Sequence, residues 1–545
     1  MEIGARTRAG DAAVTTAGSV RDATFEVMRR HGMTRIFGNP GSTEIPFLVD
    51  LPTDIEFVMG LHEGSVVSMA TGYALARNEP SFVNLHTAPG LGNAVAAIAN
   101  ARDFHAPLVI VVGQQDRRQL SIEPFLAGRS LERLAGEYPV WTSMPVRPQD
   151  VPGTIARAYH EAKAAGGPAL VVVPMGDWEE PVDALAAASP AAVVRPTGVS
   201  AEQLDPLVQL LEEARRPAIV VGAGTDTPEG WRAAASLAER LRCPVWHEPF
   251  CGRSGFPQDH PQFAGHLHWR RRLMRETLAP HDVVLVLGTS AFHLYVLEEP
   301  EPPVAEGTRI AVVTARSEEA HRSPAEVAVV GPVAEVCAAL AARVGRRDGP
   351  LPQRAAGPPP VPPPGPGEPL RNAHILDALA ARLPRETVVL EEAPSARPEL
   401  LQRLPAVVPG GFLSVPNGAL GFALAGAIGV RMGLPDRGVV AILGDGAAMF
   451  GIQGLWSAAE YGAGIVLIVL ANGAYGVMDD QAAARDGRAP WPQFRGVDIA
   501  GMARALGCPA VRVETHAQLL AVFDEELSSP AERTQPILIE VVVSP

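Results

Sequence analysis

The sequence predicts an α/β protein with three domains, each built on a parallel, helix-flanked sheet. At 545 residues the chain is too long for one hydrophobic core. Short apolar runs alternate with helical patterns throughout, which is typical of βαβ units, and two stretches rich in Pro and Ala divide the chain. We expect a disordered leader at 1–17, domains at 18–181, 200–346 and 370–545, and linkers at 182–199 and 347–369.

The first domain contains five strand-like apolar runs separated by helical patterns. They lie at 35–37, 57–59, 82–85, 107–112 and 169–173. Such alternation favours a parallel sheet, whose carboxyl edge is where open α/β sheets bind ligands.

The middle domain has predicted strands at 217–221, 282–287 and 309–313. The run Val221-Gly222-Ala223-Gly224 resembles the start of a dinucleotide-binding loop. The third glycine of that loop would fall at Thr227, and no acidic residue is evident at the end of the next strand. We therefore expect a structural, Rossmann-like domain without a cofactor, with nucleotide binding as the alternative.

The last domain carries the strongest chemical pattern. Predicted strands at 387–390, 439–443, 465–470 and 536–543 surround Gly444-Asp445-Gly446, and Asn472 follows one strand–helix–strand unit later. This spacing places a carboxylate and an amide oxygen at the same edge of a sheet. Mg2+ prefers oxygen ligands, and glycines let the backbone approach a diphosphate closely. A turn at a strand end is the alternative for Gly-Asp-Gly alone.

The composition argues against several classes of function. The formal net charge of −14 is opposite in sign to the surface that nucleic acid or an anionic membrane requires. The four cysteines have no CxxC spacing, which indicates a reducing compartment and no zinc site. No apolar run is long enough to span a membrane, and residues 1–17 lack the core of a signal peptide. We expect a cytoplasmic enzyme with a small-molecule substrate and no nucleic acid or membrane partner.

Three polar residues of the first domain lie at predicted strand ends. Glu63 follows one strand and opens a helical pattern, so its carboxyl would protrude at the ligand-binding edge; the alternative is a first-turn glutamate that complements the helix dipole. His86 also follows a strand. Ser42, in Asn39-Pro40-Gly41-Ser42, is by position alone a good helix N-cap.

Several separated motifs together resemble the thiamine-diphosphate (ThDP)-dependent 2-oxo acid decarboxylases, and most of all benzoylformate decarboxylases. They cover nearly the whole chain after residue 18 and occur in the family's order and spacing: 37–42, the segment around Glu63, 84–93, 113–115, 418–424, Gly-Asp-Gly at 444–446 and 472–476. In such enzymes a carboxylic acid activates the cofactor through its pyrimidine ring.

The resemblance implies a role for each matching residue. Glu63 would activate ThDP, Ser42 would face the substrate carboxylate, and His86 would carry a proton. Mg2+ (or Ca2+) would be held by Asp445, Asn472 and the carbonyl of Ala474. The other cofactor-binding residues would be Ser395, Gly418, Leu420, Gly444, Gly446, Ala447 and Tyr475, with Leu420 holding ThDP in its bent conformation.

The sequence departs from the family at two motifs. In the favoured register, Tyr295 occupies the place of a second catalytic histidine and His293 lies two residues earlier, so either side chain is a candidate for that proton transfer. The usual Asn-Asn pair is Ala471-Asn472 here, with the metal-binding Asn retained. The adjacent His-His pair of pyruvate-type decarboxylases is absent from the sequence.

Two pocket positions that are aromatic in the family are polar here. They are Ser414 and Gln481, with Val477 and Met478 beside the second. Lost aromatic packing should weaken selection for a phenyl ring by about a kcal/mol per contact.

The resemblance implies decarboxylation of a 2-oxo acid to an aldehyde and CO2, with carboligation to 2-hydroxy ketones as a side reaction. It also implies a homodimer as the minimal active unit and a homotetramer as the expected assembly. The alternatives are an acetolactate-synthase-like carboligase, a catalytically silent ThDP-fold relative and, more remotely, an NAD-dependent dehydrogenase.

Overall fold

A computed structural model describes residues 18–182, 190, 192–194, 198–295, 297, 302–354 and 356–544. The predicted leader at 1–17 and much of the predicted linker at 182–199 lie outside the described residues. No helix in the described ranges is long and apolar enough to cross a membrane. All four cysteines are buried and unpaired.

The chain forms three six-stranded sheets in which every strand pairing is parallel. The strands are β1 (Arg35–Asn39), β2 (Glu56–Met59), β3 (Ser81–Leu85), β4 (Leu108–Gln114), β5 (Trp141–Ser143), β6 (Pro168–Pro174), β7 (Pro217–Val221), β8 (Val245–His247), β9 (Phe263–His266), β10 (Val283–Leu287), β11 (Arg309–Thr314), β12 (Val327–Val330), β13 (Val388–Glu392), β14 (Phe412–Ser414), β15 (Val439–Gly444), β16 (Val466–Ala471), β17 (Ala510–Val513) and β18 (Ile537–Val542).

Helices connect these strands and cover the sheets. They are α1 (Val20–Arg30), α2 (Ile45–Leu48), α3 (Glu63–Arg77), α4 (Ala88–Asp103), α5 (Leu131–Leu134), α6 (Val151–Ala165), α7 (Asp205–Glu213), α8 (Pro228–Leu241), α9 (Arg271–Leu278), α10 (Ser317–His321), α11 (Val333–Arg343), α12 (Asn372–Ala380), α13 (Arg397–Arg403), α14 (Ala423–Gly433), α15 (Asp445–Gly451), α16 (Gly454–Glu460), α17 (Gly476–Ala483), α18 (Ile499–Ala505) and α19 (His516–Glu526).

The first and third sheets share one topology. Their orders are β2-β1-β3-β4-β6-β5 and β14-β13-β15-β16-β18-β17, which are the same sequence of connections. The second sheet has the order β12-β11-β10-β7-β8-β9, the doubly wound arrangement of Rossmann-like domains. The predicted fold class is therefore confirmed. All strands are parallel, and the order in which successive strands are added to the sheet reverses between β1 and β3 and between β13 and β15.

Six strands were not predicted from the sequence: β5, β8, β9, β12, β14 and β17. Each has only three or four residues, and all except β8 lie at a sheet edge. Such short segments carry too few residues for a periodic signal, and sheet context decides their conformation.

The glycine-rich loop after β7 is packed against its own chain. A Cβ on Gly222 would lie 2.3 Å from the Cβ of Thr289, and one on Gly224 would lie 2.7 Å from the Cα of Gly288. Thr227, at the place of a third glycine, instead caps α8 through its hydroxyl. Internal packing thus accounts for both glycines.

The Pro-rich stretch before α12 is bound to the last domain. The backbone N–H of Val361 donates to Asp377 (2.7 Å), His374 contacts the carbonyl of Pro362 (3.2 Å), and Arg403 donates to the carbonyl of Pro359 (3.3 Å). These contacts fix a segment whose composition alone predicts an extended spacer.

The first and third sheets are joined where α3 crosses α14. A Cβ on Gly72 would lie 2.1 Å from the carbonyl oxygen of Gly426, and one on Gly429 would lie 1.8 Å from that of Met69. The two backbones therefore touch, and buried residues of both helices belong to one continuous hydrophobic cluster.

We expect Gly429→Ala to destabilise the protein by about 1–3 kcal/mol, because its methyl group would overlap a backbone carbonyl that cannot move independently. The free energy of unfolding in urea measures the effect. Gly92→Ala is the matched helical control: its Cβ would meet no atom within 4 Å, so stability should stay the same or rise slightly. Equal stability of the two variants would contradict the proposed contact.

Candidate active site

Glu63 lies at the carboxyl edge of the first sheet with both carboxyl oxygens held. It is the first residue of α3, and only 8% of its surface is exposed. The side-chain amide of Asn39, at the end of β1, donates to Oε1 (3.1 Å), and that of Asn93 on α4 donates to Oε2 (3.0 Å). Two amides from different elements thus fix the plane of a largely buried carboxyl group. A residue that must make one directed hydrogen bond needs such a fixed orientation.

His86 directly follows β3 and is held by a buried glutamate that the sequence did not single out. Its Nδ1 lies 2.9 Å from Oε2 of Glu44 and 3.0 Å from Oγ1 of Thr43. Because the carboxylate places the proton on Nδ1, Nε2 is the nitrogen that can exchange a proton with a ligand. A Cβ on Gly41 would lie 2.4 Å from the ring, and one on Gly113 would lie 1.8 Å from Glu44, so both glycines make room for this pair.

Ser42 is exposed in the turn between β1 and α2. The N-cap of α2 is Glu44, without a side-chain capping bond, so Ser42 does not cap that helix. Its two neighbours, Gly41 and Thr43, both lie against the ring of His86, so Ser42 belongs to the turn that packs on that histidine.

The third sheet brings Asp445 and Asn472 together at the ends of β15 and β16, which are neighbours. Asp445 accepts from the N–H of Gly446 (2.7 Å) and from the N–H of Gly473 (2.6 Å), so its carboxylate spans the two strand ends. The side-chain oxygen of Asn472 accepts from the N–H of Ala474 (3.1 Å). The spacing argument from sequence therefore gives the arrangement that the structure contains.

These groups fit a hard divalent cation. Asp445 is 5% exposed, and burial raises the pKa of its carboxyl, partly offset by backbone N–H groups that stabilise the charge. Its carboxylate oxygens accept from backbone N–H groups of Gly446 and Gly473, and a bound cation stabilises a buried carboxylate. Carboxylate, amide and carbonyl oxygens are the ligands that Mg2+ prefers. The described chain contains no cluster of three or more His, Cys, Asp or Glu that would suit a softer metal.

The surroundings of Asp445 also leave room for a ligand. A Cβ on Gly444 would meet no atom within 4 Å, so the backbone there is open to an incoming group. Ser395 reaches the same place, since its Oγ would lie 2.8 Å from a Cβ on Gly476, beside Asn472. Serine hydroxyls and accessible backbone N–H groups are typical diphosphate contacts.

Other predicted cofactor residues near Asp445 differ in accessibility. Gly446 is covered by the ring of Tyr475, which would lie 2.7 Å from its Cβ. That ring packs on Phe494 at 5.0 Å between centroids and remains 41% exposed. Ala447 is buried in the first turn of α15. Tyr475 is thus the accessible member of this group.

The turn before α14 is fixed by a second buried glutamate. Glu392, the last residue of β13, accepts from the N–H groups of residues 421–423 at 2.6–2.9 Å. Burial raises the pKa of Glu392 to about 7, while these N–H groups stabilise its charged form. Gly418 and Gly421 adopt positive φ angles of 73° and 99°, and Leu420 lies between them, half-buried. The turn therefore presents Leu420 in a defined direction.

His293 and Tyr295 follow β10 and make different contacts. His293 lies against Glu248 and Ser290 within the second domain. The hydroxyl of Tyr295 accepts from the side-chain amide of Gln481 on α17 (3.3 Å), across the junction with the third sheet. The two candidates for the second proton-transfer role thus occupy one loop, which contacts α17 through Tyr295.

Ser414 does not present an open pocket position. It is 1% exposed, donates to Glu391 (2.7 Å) and accepts from Arg397, which also pairs with Glu391 (2.7 Å). The expectation that Ser414 replaces an aromatic side chain in a substrate pocket is not supported, because an ion pair encloses the hydroxyl.

Sequence reasoning missed four residues that hold the site: Asn39, Glu44, Asn93 and Glu392. Asn39 and Asn93 belong to motifs that were noted, but their partner is distant in the chain. For Glu44, the sequence feature that could have indicated a buried partner is Gly113, because the absence of a side chain there makes room for the carboxylate. Nothing in the local sequence marks Glu392 as the acceptor for a helix 30 residues away.

Comparisons with known sequences agree with this geometry. Residues 18–133 match the N-terminal TPP-binding domain of thiamine pyrophosphate enzymes, residues 204–340 match the central domain, and residues 401–541 match the C-terminal TPP-binding domain. Thiamine pyrophosphate is another name for thiamine diphosphate.

Relatives match over nearly the full chain. A benzoylformate decarboxylase of Pseudomonas aeruginosa is 36% identical, covering 96% of this chain and 98% of its own. A putative acetolactate synthase large subunit of Mycobacterium tuberculosis is 26% identical, covering 94% and 96%.

Solved structures agree. A ThDP-dependent 4-hydroxybenzoylformate decarboxylase of Rhodococcus jostii superposes with a TM-score of 0.91 at 35% identity, covering 97% of this chain and 99% of its own. Benzoylformate decarboxylase from Polynucleobacter necessarius gives a TM-score of 0.90 at 29% identity, covering 96% and 98%. The chain therefore belongs to the thiamine-pyrophosphate-dependent enzymes, as a carbon–carbon lyase of the benzoylformate decarboxylase type.

Proposed function

We propose that the protein catalyses the ThDP- and Mg2+-dependent, non-oxidative decarboxylation of a benzoylformate-like 2-oxo acid to the aldehyde and CO2. The observation that carries the proposal is a pair of polar half-sites at equivalent sheet edges. One presents Glu63 held by two amides; the other presents the buried Asp445 beside Asn472. An activating carboxyl group and a metal–diphosphate site are the two parts that ThDP requires.

Residues of the third sheet would hold the cofactor. Asp445, Asn472 and the carbonyl of Ala474 supply oxygen ligands for Mg2+ (or Ca2+), and Ser395, Gly444 and the 446–447 backbone lie where a diphosphate would bind. On the other side, the turn containing Gly418 and Leu420 would support the cofactor rings, with Tyr475 at the rim. Bound ThDP supplies the electron sink that lets a 2-oxo acid lose CO2.

The first domain would supply proton transfer. Glu63, whose orientation is fixed by two amides, would give a directed hydrogen bond to the pyrimidine of the cofactor. The overall reaction breaks a carbon–carbon bond and adds one proton to the former keto carbon. His86, whose Nδ1 is held by Glu44, can deliver that proton through Nε2. The exposed hydroxyl of Ser42 is available to the substrate carboxylate.

Carboligation follows from the same site. A second aldehyde in place of the proton would give a 2-hydroxy ketone, and the similarity to a putative acetolactate synthase keeps a synthase-type carboligase as the alternative. A synthase of that type would use a nucleotide cofactor in the second domain. The glycine-rich loop after β7 packs against residues of its own chain instead, which favours the decarboxylase.

We further propose a homodimer as the minimal active unit and a homotetramer as the assembly. Apolar side chains are exposed beside both half-sites: Ile45 and Leu61 near Glu63, and Phe450 and Met478 near Asp445. Exposed apolar surface around a polar centre is typical of an interface. A second copy that contributes Glu63 to the Asp445 half-site would cover both.

The direct test is CO2 and aldehyde formation from benzoylformate, with and without ThDP and Mg2+, beside aliphatic and branched 2-oxo acids. We expect release only with the cofactor and most rapidly from an aromatic substrate. Release from other acids alone would change the substrate class, and bound ThDP without release from any acid would favour the carboligase.

Glu63→Gln should lower kcat by at least about a hundredfold, because the amide cannot hold the hydrogen bond that a carboxyl group supplies. ThDP affinity and the melting temperature should change little. Glu26→Gln, on an exposed residue of α1 that pairs with Arg29, is the control and should retain full activity. Near wild-type turnover by Glu63→Gln would remove Glu63 from the mechanism.

Asp445→Asn should weaken Mg2+-dependent ThDP binding by about a hundredfold, since it removes the only carboxylate of the proposed ligand set while keeping its shape. Titration calorimetry measures the affinity, with Asp524→Asn as an exposed control in the same domain. In the metal-free protein the pKa of Asp445 is raised, so binding should also weaken on acidification before exposed carboxylates protonate. Unchanged affinity in Asp445→Asn would discredit the metal site.

A further inference from the structure

Two adjacent buried carboxylates at the end of β13 hold opposite ends of one short segment. That segment is the turn before α14, residues 415–420, which we call the cofactor turn. Consecutive side chains of a strand point to opposite faces of the sheet, so the two carboxylates have different partners. Glu392 accepts from the N–H groups of residues 421–423, directly after the turn. Glu391 accepts from the hydroxyl of Ser414 (2.7 Å), directly before it.

Arg397, the first residue of α13, joins the start of the turn to the second domain. Its Nη1 donates to Oε2 of Glu391 (2.7 Å) and to the hydroxyl of Ser414, and its Nη2 donates to the carbonyl of Pro249 (3.2 Å). Glu391 is 2% exposed, and a buried carboxylate needs a partner of opposite charge. The planar, multiply donating guanidinium can serve all three acceptors at once.

The backbone of the second domain also meets the strand that leads into the turn. The N–H of Ser414 donates to the carbonyl of Gly252 (2.9 Å), and Arg253 forms an antiparallel bridge with Leu413. A Cβ on Gly252 would lie 2.8 Å from the carbonyl oxygen of Ser414, so the two backbones are in direct contact. The contact between Arg397 and Pro249 thus belongs to a continuous junction between the second and third domains.

The same ion pair fixes the loop that contains Ser395, one of the proposed diphosphate contacts. Oε1 of Glu391 accepts from the N–H of Ala393 (2.7 Å), and the N–H of Arg397 donates to the carbonyl of Ala393 (2.9 Å). Ser395 lies inside this closed loop. Glu391 and Arg397 therefore hold both the Ser395 loop and the start of the cofactor turn.

The direction of Leu420 depends on these anchors. Gly418 and Gly421 have positive φ angles of 73° and 99°, and glycine restricts the backbone less than any other residue. A short turn with glycines on both sides of Leu420 keeps one conformation only when its two ends are held. Glu392 holds the end of the turn, and the contacts of Arg397 hold its start.

We propose that Arg397 is a positioning residue that sets the orientation of Leu420 and Ser395 toward bound ThDP. It does so by tying Glu391 and the end of β14 to the carbonyl of Pro249. The second domain, for which no cofactor is proposed, thereby takes part in shaping the cofactor site. This inference rests on the proposed function and adds a residue that acts on the cofactor without touching it.

Arg397→Lys tests the inference. Lysine keeps the charge that the buried Glu391 needs, but its single ammonium group lacks the planar fork that reaches Ser414 and Pro249 at once. We expect the affinity for ThDP, measured by titration calorimetry with Mg2+ present, to fall by about tenfold. The kcat for CO2 release should fall by a similar factor, while the KM for the 2-oxo acid stays at the wild-type value.

Arg512→Lys is the matched control, because Arg512 pairs with another buried glutamate of the third domain, Glu540 (2.7 Å). Glu540 is 1% exposed and lies on β18. The control should lower the melting temperature about as much as Arg397→Lys does, but it should leave ThDP affinity and kcat unchanged. A difference in cofactor affinity at similar stability separates positioning of the site from a general structural role.

A folded Arg397→Lys variant with wild-type ThDP affinity and kcat would overturn the inference, as would equal losses of ThDP affinity in the two variants. If Arg397→Lys does not fold, Ser414→Ala provides the decision, because it removes only the hydroxyl and keeps the ion pair. Weaker ThDP binding by that variant at an unchanged melting temperature supports the inference, and unchanged binding overturns it. A wild-type protein that binds no ThDP would instead refute the proposed function itself, so the two failures are distinguishable.

Discussion

Direct backbone contact between α3 and α14 is the constraint on which both half-sites depend. Gly72 and Gly429 let the helices touch without side chains between them. Each helix also begins at a part of the candidate active site. α3 begins with Glu63, and α14 follows the turn containing Gly418 and Leu420. Because protein interiors are close-packed and rigid, this contact fixes the first and third sheets relative to each other.

Buried carboxylates with complete sets of donors then set the direction of each functional group. Glu44 holds the ring of His86, Glu392 holds the turn before α14, and Asp445 joins the ends of β15 and β16. A buried carboxylate is stable only when its hydrogen bonds are made, so each of them also fixes the elements that supply its donors.

The sequence was sufficient for the fold class, for the placement of Asp445 and Asn472 at one sheet edge and for the position of Glu63, because these depend on periodicity and on spacing within one βαβ unit. Asp445 and Asn472 are close because neighbouring parallel strands end at one edge. Contacts between distant segments could not be predicted in this way: the hydroxyl of Ser414 is hydrogen-bonded to the Glu391–Arg397 ion pair rather than facing a pocket. Short edge strands such as β5 and β14 were missed because tertiary pairing, not local pattern, determines them.

The central claim is that the two kinds of half-site together bind ThDP, with Glu63 of one copy facing the Asp445 half-site of another. Titration calorimetry of ThDP into the wild-type protein tests it most directly. The account predicts one ThDP per chain in the presence of Mg2+ and loss of binding when EDTA removes the cation. No binding, or binding that EDTA leaves unchanged, would contradict it.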